Sequence, residues 1–209
     1  MRQLKPAPTT RPTTLQTVCK PQVRMTRKML SVLVFFTGFL LSLTAQAQLA
    51  PGSQAPEFKA QAALAGQAFE FDLQAALAKG PAVVYFYPKA FTSGCTIEAQ
   101  LFAESMDDFQ ALNATVVGVS GDDIDTLKKF SEGPCGGKFA VAADPDGEVI
   151  KLYDAGFAII PGMADRISYA IAPDGTILEA FESMSPAQHV NKTLDAIRVW
   201  HTDASGQGK

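Results

Sequence analysis

Val83-Val84-Tyr85-Phe86-Tyr87-Pro88-Lys89-Ala90-Phe91-Thr92-Ser93-Gly94-Cys95-Thr96-Ile97-Glu98 is the stretch that decides the fold. It begins with β-branched and aromatic residues, the composition of a buried strand. Pro88 ends that strand, because proline has no N–H to give to a sheet ladder. Thr92, Ser93 and Gly94 are small residues that can cap a helix and leave its backbone bare. Cys95 then falls in the first helical turn, where unpaired N–H groups point and the helix dipole is positive, so negative charge on a sulfur is favoured there. A strand, a turn and a helix start bearing a thiol make Cys95 a candidate reactive cysteine.

Upstream, Arg24, Arg27 and Lys28 precede an apolar run from Met29 to Leu43, and Ala45-Gln46-Ala47 closes it. This order of basic, apolar and small residues reads as a secretory signal peptide cleaved after Ala47, with an uncleaved anchor as the other reading. The run is shorter than the roughly 20 apolar residues of a membrane span. Met1 to Arg24 is basic and rich in Pro and Thr, and Met25 is the expected working start. The whole chain carries 18 Lys and Arg against 21 Asp and Glu, a formal charge of −3; seven of the basic residues and no acidic ones lie in 1–47, so the remainder stands at −10. A chain that acidic offers no basic face to nucleic acid or anionic lipid. About 160 residues are left, enough for one domain with a sizeable core. The expected organisation is a removed leader at 1–47, a domain at 48–201 and a flexible polar tail at 202–209. The expected location is the periplasm or the extracellular space, with no stable membrane association after cleavage. Of three cysteines, Cys19 leaves with the leader, while Cys95 and Cys135 remain in an oxidising compartment, as either a staple or a redox couple.

Along the remaining chain, Gln48 to Phe58 is an extended entry with Pro51, Gly52 and Pro56, and 64–73 is a strand or hairpin arm. The central strand spans 82–87. Apolar residues Ile97, Leu101, Phe102, Met106, Phe109 and Leu112 then recur at helical spacing, predicting one long amphipathic helix. Strands at 115–119 and 139–142 enclose a helix at 124–130, and Gly133-Pro134-Cys135-Gly136-Gly137 is a loop. Asp144-Pro145-Asp146-Gly147 is a turn whose glycine is misplaced for a calcium loop. Pro173-Asp174-Gly175 joins strands at 166–171 and 176–181 as a hairpin. A last helix opens at Ser185-Pro186 and runs to about Trp200. This order implies an α/β fold, a central mixed sheet flanked by helices on both faces with right-handed crossovers.

Pro88-x-x-x-Thr92-x-x-Cys95 resembles the peroxidatic-cysteine motif of the peroxiredoxins, and the string from Tyr85 to Ala99 is similar to their bacterioferritin-comigratory (Q-type) subgroup. Gly52-Ser53-Gln54-Ala55-Pro56-Glu57-Phe58, Val116-Val117-Gly118-Val119-Ser120 and Asp144-Pro145-Asp146-Gly147 extend the resemblance along most of the chain after the leader. Arg166, ahead of Tyr169-Ala170-Ile171 and the Asp174-Gly175 turn, matches the family's active-site arginine. The resemblance implies a thioredoxin-like (peroxiredoxin) fold and a thiol peroxidase acting on hydrogen peroxide or organic hydroperoxides. It implies recycling by a thioredoxin-like or other thiol reductant, no cofactor and no metal, in a monomer or homodimer.

Peroxide cleavage needs a thiolate nucleophile and stabilisation of the leaving oxygen. The resemblance gives Cys95 the first role, with a sulfenic acid as product. Thr92 would orient the peroxide and also serve in capping the helix. Arg166, permanently cationic, would hold the thiolate and the developing charge. Pro88 would shield the pocket from water, and the N–H groups of Gly94 and Cys95 would complete the donor set. Glu98 reads first as an acid favoured by the helix dipole, and second as a partner that orients the arginine. Tyr85, Phe86 and Tyr87 read as core. His189 and His201 read as surface residues with no metal spacing.

Gln100 stands five residues after Cys95, where many members of the subgroup keep a resolving cysteine, and Ser93 stands where proline is common. Other members place the resolving thiol in the following helix or its end. Cys135, 40 positions from Cys95 in a glycine-rich loop, is therefore expected to resolve the sulfenic acid as an intramolecular disulfide. Two competing readings share the fold. A thiol–disulfide oxidoreductase is disfavoured because no C-x-x-C is present. A non-catalytic thioredoxin-fold binding protein or metallochaperone is disfavoured because the second cysteine and the partner histidine that copper carriers need are not found around Cys95.

Overall fold

The computed structural model describes residues 48–206, with side chains to residue 204. The expected leader, Cys19 and the final residues 207–209 lie outside the described residues. Among the described residues no helix is long and apolar enough to cross a membrane.

Strand β3 (Ala82–Phe86) is wholly buried, as a run of this composition must be. It pairs in parallel with β4 (Thr115–Ser120) and antiparallel with β6 (Ile167–Ile171). Around this centre the sheet has seven strands in the order β2-β1-β5-β4-β3-β6-β7, with β1 at Lys59–Leu64, β2 at Gln67–Asp72, β5 at Ala140–Ala143 and β7 at Ile177–Glu182. The mixed sheet flanked by helices is the thioredoxin-like architecture.

Alternation along β3 sends Ala82, Val84 and Phe86 to one core and Val83, Tyr85 and Tyr87 to the other. The first core is covered by α1 (Leu73–Leu77) and α5 (Glu148–Leu152). The second is covered by α2 (Ser93–Glu104), α3 (Met106–Ala111), α4 (Ile124–Glu132) and α6 (Pro186–Gly206). Each fully buried aromatic on this strand contributes roughly 1.5–3 kcal/mol.

Three elements depart from the sequence reading. The strand or hairpin arm expected at 64–73 is β2, and it pairs with a strand the sequence reading did not foresee, β1, because Ala65 and Gly66, both at positive φ, turn the chain back. The long helix expected after Cys95 breaks at Ser105, whose N–H reaches the carbonyls of both Leu101 and Phe102. Its inward face carries Cys95, Glu98, Ala99, Phe102 and Ala103, while Ile97 is half exposed. At the other end, α6 runs past Trp200 to Gly206, through most of the expected tail. Extending a packed helix costs little per residue, and no Gly or Pro interrupts it before Gly206.

Candidate active site

Antiparallel pairing of β3 with β6 places the C-terminal end of one beside the N-terminal end of the other, with Phe86 opposite Ile167. The turn after β3 and the residue before β6 therefore meet at one edge of the sheet. This brings Arg166 to Cys95 across 71 positions of sequence, with Nη2 3.3 Å from Cys95 Sγ.

The turn is held by its own backbone and by a residue the sequence did not single out. Tyr87 N–H donates to Val119 O, one step beyond β3, and half-buried Pro88 then ends the ladder. Buried Asp122, just after β4, accepts the Ala90 N–H at 2.7 Å and the Ser120 hydroxyl at 2.9 Å. Phe91 sits at φ +64°, an uncommon conformation for a bulky residue, and its ring meets Phe130 of α4 edge-on at 5.2 Å. Thr92 occupies the N-cap position of α2 but does not cap it: its hydroxyl donates to Lys89 O at 2.9 Å. The capping role expected of Thr92 is thus not seen, since the hydroxyl turns back into its own loop. The consequence is chemical. With the Thr92 side chain turned away and no other cap among the described residues, the N–H groups of Ser93, Gly94 and Cys95 stay available to a ligand.

Gly94 has a steric role as well. A Cβ there would lie 3.1 Å from Arg166 Nη2, so glycine lets the guanidinium lie across the helix start. The other prong of the fork, Nη1, pairs with Glu98 Oε2; both side chains are buried. Glu98 therefore takes the second of its two readings, orienting the arginine from one helical turn beyond Cys95. Burial pushes the Glu98 carboxyl up, and the paired Arg166 charge acts against that and favours the carboxylate. A cation 3.3 Å from sulfur, fixed by a carboxylate on its far side, stabilises negative charge on Cys95.

His189 is not on the surface. It is fully buried on α6, with Nδ1 2.8 Å from Ser168 Oγ and 3.8 Å from Glu98 Oε1, and Nε2 2.8 Å from Ser183 O. A signal was there to read: His189 lies two turns before Ile197, on the inward stripe, and Ser168 is polar inside a buried strand. Tyr85, Phe86 and Tyr87 are core, as expected.

Cys135 is also buried, in the same core as Cys95, and both are free thiols. Burial pushes the Cys135 thiol up to about 12. Its loop closes the end of α4: Cys135 N–H donates to Phe130 O at 3.2 Å and Gly137 N–H to Ser131 O at 2.8 Å. Among the described residues, no group of three or more His, Cys, Asp or Glu side chains is placed to hold a metal ion.

The AhpC/TSA family profile matches residues 51–180. "Putative peroxiredoxin bcp" of Helicobacter pylori (strain J99) is 33% identical over 120 residues, which cover 55% of this chain and 78% of that one. "Peroxiredoxin Q, chloroplastic" of Oryza sativa subsp. japonica is 29% identical over 119 residues, covering 56% and 54%. Among solved structures, peroxidoxin BcpB from Mycobacterium tuberculosis superposes with a TM-score of 0.66 at 27% identity, over 72% of this chain and 97% of its own. With a family match over more than half of its length, and with Bcp and peroxiredoxin Q proteins among its relatives, the chain belongs to the AhpC/TSA family as a peroxiredoxin.

Proposed function

We propose that this peroxiredoxin is a periplasmic or secreted member of the Q-type subgroup, exported by its leader. It reduces hydrogen peroxide or organic hydroperoxides through Cys95, with Cys135 as the resolving thiol and a thioredoxin-like or other thiol as final reductant. The observation that carries the peroxidase reading is the placement of Cys95 Sγ 3.3 Å from Arg166 Nη2 at an uncapped helix start. The thiolate attacks one peroxide oxygen; an S–O bond forms as the O–O bond breaks. The departing hydroxide or alkoxide takes a proton and leaves as water or alcohol, and Cys95 is left as a sulfenic acid. Arg166 and the free N–H groups of Gly94 and Cys95 offer donors to charge building on the oxygens. Thr92, with its proton given to Lys89 O, keeps lone pairs for a peroxide O–H. Pro88 shields the pocket.

In the second step the Cys135 thiolate attacks the Cys95 sulfur, forming a disulfide and releasing water. A thiol held up to about 12 by burial is a poor nucleophile where it lies, so the 133–137 loop must first come away from the end of α4. Phe130 is the joint: its carbonyl holds Cys135, and its ring touches Phe91 in the Cys95 loop. Hydrogen peroxide consumption by the wild type, lost in Cys95→Ser, tests the first step. Non-reducing peptide mapping after one equivalent of peroxide tests the second. A Cys95–Cys135 peptide is expected, whereas persistent Cys95 sulfenic acid in its place would leave a one-cysteine enzyme.

A further inference from the structure

His189 touches each of the supports of Arg166. A carbonyl oxygen only accepts, so the 2.8 Å contact with Ser183 O puts the ring proton on Nε2. Nδ1 is then an acceptor and takes the Ser168 hydroxyl at 2.8 Å. The same Nδ1 faces Glu98 Oε1 at 3.8 Å, an oxygen with no hydrogen-bond partner among the described residues. Each of these neighbours bears on the arginine. Glu98 holds its guanidinium, Ser183 N–H donates to the Arg166 carbonyl at 3.3 Å, and Ser168 lies in β6, two residues past Arg166.

We propose that His189 is a positioning residue of the peroxide site. By holding Ser183, Ser168 and the space beside Glu98 in one tautomeric arrangement, it keeps the Arg166 fork on Cys95. This assignment rests on the thiol peroxidase reading of the same site. The neutral ring is essential to it. A proton on Nδ1 would turn the acceptor of Ser168 into a donor aimed at Glu98 Oε1 and draw that carboxylate from Arg166. The charged groups facing the ring are Glu98 from α2 and Arg166 from the start of β6; β7 contributes the uncharged edge of Phe181 at 5.0 Å. Burial, helped by the Arg166 charge, lowers His189 to about 4, so the arrangement persists across the neutral range.

The test compares His189→Phe, which keeps a ring and loses both hydrogen bonds, with His189→Gln, which keeps a donor for Ser183 O. The second-order rate of hydrogen peroxide reduction is followed from pH 4 to pH 8, alongside thermal unfolding. The folded Phe variant is expected to react about ten times more slowly at pH 7, and the Gln variant to recover part of that loss. Below about pH 5 the wild type should lose rate more steeply than the Gln variant, which has no ring to protonate; a purely structural histidine would not change that profile. A folded Phe variant with the wild-type rate and profile overturns the assignment. If that variant does not fold, the Gln variant decides, and an unchanged acid limb refutes the role. A wild type that consumes no peroxide would sink the peroxidase reading itself, which a variant difference cannot mimic.

Discussion

Replacing Arg166 by lysine keeps the positive charge and removes the fork, which separates geometry from electrostatics at the proposed peroxide site. In the native chain one guanidinium serves two partners, Nη2 on Cys95 Sγ at 3.3 Å and Nη1 on Glu98 Oε2. A lysine ammonium is a point donor on a narrower stem and cannot span both. The buried carboxylate is the stronger claimant, so sulfur loses its charge-assisted hydrogen bond. Such a bond is worth about 1.5–3 kcal/mol. At 1.36 kcal/mol per decade of rate, the single-turnover reaction with hydrogen peroxide at pH 7 should slow by about ten- to one-hundred-fold. The assay is rapid mixing at varied peroxide, quenched by alkylation of the remaining free thiol, with circular dichroism to verify the fold and Cys95→Ser as background. A folded Arg166→Lys enzyme within twofold of wild type would refute the reasoning, because charge alone would then be sufficient and the fork idle.

Three other outcomes are expected. Asp122→Ala leaves the buried Ala90 N–H without its 2.7 Å acceptor, costing about 1–3 kcal/mol in urea unfolding and slowing the peroxide reaction as the Cys95 loop loosens; unchanged stability would mean that the loop does not depend on this anchor. His189, held at about 4 against an ordinary 6.5, is neutral in the fold. The unfolded chain takes up its proton first as pH falls, so this residue's contribution is present above pH 6.5 and lost toward pH 4. Denaturation of the wild type compared with His189→Gln should show a difference on the order of 3 kcal/mol across that window, and parallel curves would contradict it. Phe91→Ala removes the edge-on contact with Phe130, worth about 0.5–1.5 kcal/mol, and should speed formation of the Cys95–Cys135 disulfide by roughly two- to tenfold. Quenched time courses resolved by non-reducing electrophoresis measure it, and a slower rate would exclude Phe91 as part of the restraint on Cys135.

Local patterns were legible in the sequence wherever one segment carried its own explanation. The apolar run to Phe86, the proline after it and the small residues before Cys95 determined a strand, a stop and an open helix end, because backbone chemistry acts between near neighbours. The hairpin at Pro173-Asp174-Gly175 and the α4 helix followed for the same reason. Helical period alone misjudged α2: it assigned Ile97 to the core, whereas Glu98 turned inward to meet a cation from another part of the chain.

The sequence by itself thus pointed to a reactive thiol and the type of element that presents it, and the family resemblance around Arg166 pointed to the arginine proposed to serve it. Only the tertiary structure decided the remainder of the site. Asp122, Ser168, Ser183 and His189 come from the end of β4, from β6, from the end of β7 and from α6, with no local mark of function. They meet Cys95 and Arg166 because β6 runs antiparallel to β3 and α6 folds back over it. A buried polar side chain draws its meaning from the partner that satisfies it, and that partner is set by strand order and helix packing rather than by spacing along the chain. The opening thiol could be read from its neighbours; the polar supports that hold its arginine could not.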